Sequence, residues 1–178
     1  MLTCENTLIL VIDFQEKLVN MLKENNCAKN CEKLITASNI LNIETIITEQ
    51  YPKGLGKTIT ELKLANQDAK NYEKTTFSAF STETIKEAIT KSNKKDIVLC
   101  GIETHICVLQ TALELQEAGY NVYLVKDACG SRSLDNYQTA IERMKNSQVT
   151  ITDTETTLFE FLRSSKHPNF KEVQALIK

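Results

Sequence analysis

The sequence has no basic block, no long hydrophobic run and no stretch rich in proline or glycine. Lys plus Arg number 21 against 23 for Asp plus Glu, a net charge of −2. That balance leaves no electrostatic footprint for nucleic acid or for an anionic membrane surface. The apolar run nearest the start, Leu8 to Ile12, ends at Asp13, too short for a signal peptide or a membrane span. With two prolines and five glycines, the chain has no candidate linker, repeat or low-complexity tract. Nucleotide motifs are missing as well. Gly54-Leu55-Gly56 lacks the third glycine of a dinucleotide fingerprint, since position 59 is Ile, and no Walker A sequence occurs.

What is there fits one folded domain over residues 1–178. Hydrophobic residues make up 42% and charged ones 25%, near the globular average, which excludes disordered and fibrous chains. Six cysteines are the one oddity. Disulfide frameworks belong to short secreted chains without a core, so the expectation is a reducing, cytoplasmic setting. Thiols there fill cores, bind metals or act as nucleophiles. Cys27 and Cys31 are four apart on one helix face, but no second Cys or His pair completes a metal site, so no metal is expected.

Short β-branched runs alternate with amphipathic ones. Residues 7–12, 45–48, 97–100, 121–125 and 149–152 read as strands, several apolar throughout, as when helices cover both faces of a sheet. Cys31, Leu34, Ile35 and Ser38 share a helical face, as do Ile85, Ala88 and Ile89, and again Tyr137, Ala140, Ile141 and Met144. Ser81 resembles an N-cap and Gly119 a left-handed helix end. The fold class is α/β, a three-layer αβα sandwich on a mostly parallel sheet, with sites at the carboxyl ends of its strands.

Three segments sit where chemistry is expected. Asp13 emerges from the first strand, either to work in a site or to cap the next helix. Cys107 follows the strand at 97–100 and opens a helical run. The positive end of the helix dipole there favours thiolate, while a buried structural thiol is the alternative. Lys74 ends a short extended stretch before Thr75-Thr76-Phe77-Ser78-Ala79-Phe80, placed over a pocket or simply in solvent. His105 is two residues from Cys107, a separation that rarely lets two side chains face each other at a helix entry. His167 adjoins Pro168 in a surface turn.

Taken in order, Val11-Ile12-Asp13-Phe14-Gln15, the segment from Lys74 to Phe80, the segment from Gly101 to Cys107 and the run from Gly119 to Arg132 resemble the isochorismatase-like cysteine hydrolase superfamily. The resemblance implies an Asp13, Lys74 and Cys107 triad that cleaves a small amide-like substrate without a cofactor. It also implies a cis peptide between Ile102 and Glu103, which aims the N–H groups of Glu103 and Cys107 into an oxyanion hole. Phe14, Gln50 and Tyr51 would border the substrate, and the family commonly forms homo-oligomers. The segment from Thr48 to Gly56 holds no His, so the metal site of nicotinamidases is missing, and it looks like the isochorismatase-domain-containing branch instead. Nothing in the chain matches residues that would hold isochorismate. A protein of the same fold that only binds or scaffolds is the rival reading, opposed by the presence of all three triad residues together.

Overall fold

The computed structural model describes residues 1–22 and 26–178. Its centre is β1 (Thr7–Ile12), whose six residues are all buried, flanked by the equally buried β4 (Asp96–Ile102). Neither alternates polar with apolar residues, because helices cover both faces. Outward from these lie β2 (Glu44–Gln50) and β3 (Lys70–Lys74) on one side, and β5 (Asn121–Gly130) and β6 (Thr150–Thr152) on the other. The order is β3-β2-β1-β4-β5-β6, and every pairing is parallel.

The helices are α1 (Glu16–Val19), α2 (Asn26–Ile40), α3 (Pro52–Leu55), α4 (Thr60–Ala65), α5 (Glu83–Lys91), α6 (Leu109–Glu117), α7 (Leu134–Asn146), α8 (Thr154–Leu162) and α9 (Phe170–Ala175). α2 packs against β5, α8 and α9, whereas α6 and α7 pack together. The amphipathic reading of α2 holds, with Cys31, Leu34, Ile35 and Ser38 all buried. Gly119 takes φ 84 just beyond α6, the left-handed end its position suggested. No helix among the described residues is long and apolar enough to cross a membrane.

Two local expectations need correction. β3 was not among the five anticipated strands, since Lys-Asn-Tyr-Glu-Lys carries no hydrophobic pattern. It is an edge strand, and charged side chains there block pairing with other chains. Ser81 does not cap a helix either: α5 begins after Thr82, and the Ser81 hydroxyl is directed at Glu114.

Because all strands run the same way, their carboxyl ends share one edge of the sheet. Chain order reverses direction between β1 and β4, so the crossovers leave a crevice there, the switch point where α/β folds form sites. β4 pairs Gly101 with Ile12 of β1, and at φ 146 a Cβ there would fall against the Ile12 carbonyl. Glycine is required at that position.

Candidate active site

Asp13 follows β1, Lys74 ends β3, and Cys107 lies in the π-helical turn Thr104–Val108 that joins β4 to α6. These strands are not all neighbours, since β2 stands between β3 and β1. β2 therefore supplies the groups that link them.

The Asp13 and Lys74 side chains have no exposed surface, and Lys74 Nζ donates to Asp13 Oδ2 at 2.6 Å. Charges this deep persist only when paired and hydrogen-bonded, and both are. Thr48 Oγ1 on β2 donates to Asp13 Oδ1 at 2.7 Å, so each carboxylate oxygen is fixed. Lys74 Nζ also donates to Gln50 Oε1 at 2.7 Å, to the Phe77 carbonyl at 3.0 Å and to the Thr76 carbonyl at 3.2 Å. An ammonium has three protons, so this one is saturated and locked. Asp13 takes a left-handed backbone, φ 53, a region aspartate tolerates better than most residues. It does not cap the helix that follows.

Gln15 fastens the segment beside these groups. Its amide accepts from the Gln50 N–H at 2.6 Å and donates to the carbonyls of Gln50 at 3.0 Å and Gly56 at 2.6 Å. Gln50 in turn donates to the Thr75 carbonyl at 2.9 Å, so both ends of its side chain are engaged in holding the Lys74 region. Tyr51, more than half exposed, lays its ring over Gly54, where any Cβ would collide with it. A cavity of about 400 Å³ opens here, with Tyr51, Pro52, Thr76 and Lys74 in its wall. A larger hollow of about 740 Å³ lies beside Met1, Phe159 and Arg163 and touches none of the three predicted residues.

Cys107 is 6% exposed. Burial first, then the Asp13 carboxylate, push its thiol up to about 12, against the opposing pull of the Lys74 ammonium. This reverses the expectation from the helix entry. A dipole at a helix start is worth a fraction of a kcal/mol to about 2, less than desolvation plus a full negative charge. The thiol at rest is protonated and faces a carboxylate that can take its proton.

The peptide between Ile102 and Glu103 is cis. The Glu103 carbonyl accepts from the N–H groups of Ile106 at 3.0 Å and Val108 at 3.3 Å, and neither bond uses the N–H of Glu103 or Cys107. The run after β5 buttresses this turn. Thr104 Oγ1 donates to the Gly130 carbonyl at 3.0 Å, the Arg132 N–H donates to Glu103 Oε1 at 3.0 Å, and His105 Nδ1 lies 3.0 Å from Ser131 Oγ. His105 is thus paired with Ser131. His167 Nδ1 accepts from the Asn169 N–H at 3.1 Å.

The structure brings Asp13, Lys74 and Cys107 together and sets Gln50 and Tyr51 around Lys74. Ile102 and Phe14 are fully buried, so neither side chain offers surface to a ligand. Phe14 meets the adjoining segment through its carbonyl, which accepts from the Ile59 N–H at 3.0 Å. Thr48, Gln15 and Thr111 hold the site without having been anticipated in those roles. Thr48 lies within an anticipated strand, where a buried hydroxyl has to meet some partner, but which partner follows only from the pairing of β2 with β1.

The sequence matches the isochorismatase domain family over residues 7–156. It is 44% identical over 145 residues to isochorismatase domain-containing protein 2 of Xenopus laevis, covering 82% of this chain and 70% of that one. Against the protein of that description from Danio rerio, identity is 38% over 178 residues, with 99% and 89% covered. Among solved structures, the MAR1 ribonuclease from Caenorhabditis elegans superposes with a TM-score of 0.94 at 38% identity, over 99% of this chain and 91% of that chain.

Proposed function

The chain belongs to the isochorismatase family, and within it we propose a cysteine hydrolase that cleaves a small amide-like substrate through Asp13, Lys74 and Cys107. The observation that carries this reading is a buried, fully bonded Asp13–Lys74 pair set against a buried thiol at the switch point of the sheet.

Asp13 takes the proton of Cys107 as the sulfur attacks the substrate carbonyl carbon. Lys74 keeps its proton and offsets the negative charge that passes from the carboxylate to the sulfur and back. The tetrahedral oxyanion is received by the N–H groups of Glu103 and Cys107, fixed donors in a water-poor crevice. As the C–N bond breaks, Asp13 returns the proton to the departing amine. Water, deprotonated by Asp13, then attacks the thioester, and the acid leaves with the thiol restored. Every proton moves through Asp13, and no cofactor enters these steps. Gln50 holds Lys74, while Tyr51 borders the cavity whose wall Lys74 shares.

The name of the nematode relative raises a second reading, cleavage of RNA. A net charge of −2 gives that reading no electrostatic support. We take residues 1–178 to act as one domain in the cytoplasm, where six free thiols stay reduced, and to assemble with copies of itself. Light scattering on the purified chain checks the last point.

The decisive experiment presents wild type and Cys107→Ala with a panel of small amides and follows ammonia or amine release, with a structured RNA in a parallel arm. Release by wild type that is lost in the variant supports the reading. RNA cleavage that depends on Cys107 replaces it with the second, and a wild type inert to every member of the panel favours a binding or scaffold role.

A further inference from the structure

Lys74 and Cys107 arrive from separate parts of the chain, and something other than the sheet must fix the gap between them. The loop that leaves Lys74 turns back over α6, the helix that leaves Cys107. Ala79 in that loop is fully buried, and its N–H donates to Thr111 Oγ1 at 2.9 Å. The same hydroxyl donates to the Cys107 carbonyl at 2.7 Å, one helical turn back. Thr111 itself has no exposed surface. One oxygen therefore satisfies a buried N–H from the cation's loop and a carbonyl of the nucleophile, using both its donor and acceptor capacity.

The loop is also the ammonium's cradle. Two of the Lys74 acceptors are the carbonyls of Thr76 and Phe77, only three and two residues before Ala79. A second anchor lies one turn further along α6, where Glu114 accepts from Ser78 Oγ at 2.7 Å and from Ser81 Oγ at 2.8 Å. The hydroxyl that resembled a helix cap is spent on this tie. Movement of the loop relative to α6 would carry the ammonium relative to the sulfur.

We propose that Thr111 is a positioning residue, whose hydroxyl clasps the Lys74 loop to the backbone of Cys107 and so sets the separation of cation and nucleophile, with the Glu114 ties to Ser78 and Ser81 as its support. This rests on the reading of Cys107 as the nucleophile, and the experiment separates the two.

Carboxamidomethylation of Cys107 by iodoacetamide is followed by peptide mass mapping from pH 7 to 10 on the full chain, for wild type, Thr111→Val, Thr111→Ser, Ser78→Ala and Lys74→Met. In Thr111→Val the shape is kept and the hydroxyl lost. Its Cys107 should react roughly two- to tenfold more slowly at pH 8, the factor one hydrogen bond carries, with the profile displaced to higher pH. Thr111→Ser should restore both rate and profile, and Ser78→Ala should shift them in the same direction by less. A packing role alone would lower the melting temperature and leave the profile of the folded protein in place. The proposal falls if Thr111→Val overlays wild type or reacts faster, if Thr111→Ser fails to rescue, or, should Thr111→Val not fold, if Ser78→Ala overlays wild type. If wild-type Cys107 reacts no faster than the fully buried Cys100, the nucleophile reading falls and this inference with it. If Lys74→Met slows Cys107 and Thr111→Val does not, only the inference is lost.

Discussion

Five of the six cysteines are buried, and they fall into two groups that burial treats alike. Cys31 and Cys100 bring their sulfurs to 3.6 Å inside the core, with Cys27 and Cys129 nearby. Desolvation raises each of the thiols at 27, 31 and 129, Cys27 to about 11, and the neighbours that act on Cys31 are other thiols. Cys107 is raised as well, to about 12, yet its neighbours are a carboxylate and an ammonium. A depressed pKa is therefore not what distinguishes a nucleophile in this protein. The distinction is a base within reach of the thiol proton and a fixed cation to receive the resulting charge. The core thiols are desolvated, and the one carboxylate that acts on them, Asp127 on Cys129, comes without an ammonium beside it, which leaves them as small apolar fillers.

The comparison breaks hardest at the sulfurs themselves. Cys107→Ala should lower amide turnover by at least about a thousandfold, as loss of a nucleophile does. Cys100→Ala should keep turnover within severalfold of wild type and lose roughly 1 kcal/mol of stability for the small void it leaves. Steady-state rates and urea unfolding of both proteins measure this, and equal losses of turnover would erase the distinction. Asp13→Asn comes next and pulls two properties apart. Removing the base should cost about a hundred- to ten-thousandfold in turnover. The same carboxylate holds the thiol proton on, so its removal should lower the Cys107 pKa and speed alkylation at pH 8. Slower turnover with faster alkylation is the expected pair, and a fall in both would show that Asp13 only shapes the crevice.

The sequence carried part of this. Asp13 and Cys107 were legible because each follows an apolar run that has to be a buried strand, and such strands deliver their next residues to the sheet edge. Lys74 was not legible on physical grounds, because β3 is a polar edge strand with nothing to set it apart from a surface segment. Only the resemblance of the ordered motifs singled it out. The hydroxyls of Thr48 and Thr111 were hidden for another reason. Which partner each meets depends on the pairing of β1 with β2 and on how the loop after Lys74 crosses α6, and neither is written locally. Local position alone misleads about the charge state of Cys107, since a helix entry is outweighed by burial and by a carboxylate that only the folded chain assembles.

A smaller effect tests whether burial acts equally on the two groups of thiols. From an ordinary value of 9.0, Cys107 rises to about 12 and Cys27 to about 11 in the folded protein. Between those values the unfolded chain has released protons that the folded chain keeps, so rising pH favours unfolding. Stability should be unaffected by these thiols below about pH 8 and should fall above 9, by up to about 1.4 kcal/mol per pH unit for each thiol. Urea unfolding at pH 8, 9 and 10 measures the slope. Cys107→Ala should make it shallower by one thiol's share, and an unchanged slope would mean that Cys107 titrates as it does in the unfolded chain.

The smallest expected effect concerns His105, which lies two residues from Cys107 and has the chemistry of a base. Its Nδ1 lies 3.0 Å from Ser131 Oγ, which ties the π-helical turn to the loop after β5. An imidazole so placed supports the turn, and its removal should cost about 1 kcal/mol of stability, one ordinary hydrogen bond. Turnover in His105→Ala should stay within about threefold of wild type, because a base contributes about a hundredfold or more and Asp13 already holds that place. The readout that matters is the pH profile of the variant. An unchanged profile keeps the carboxylate as what separates Cys107 from the core thiols, and a profile that changes shape would hand that role to the histidine.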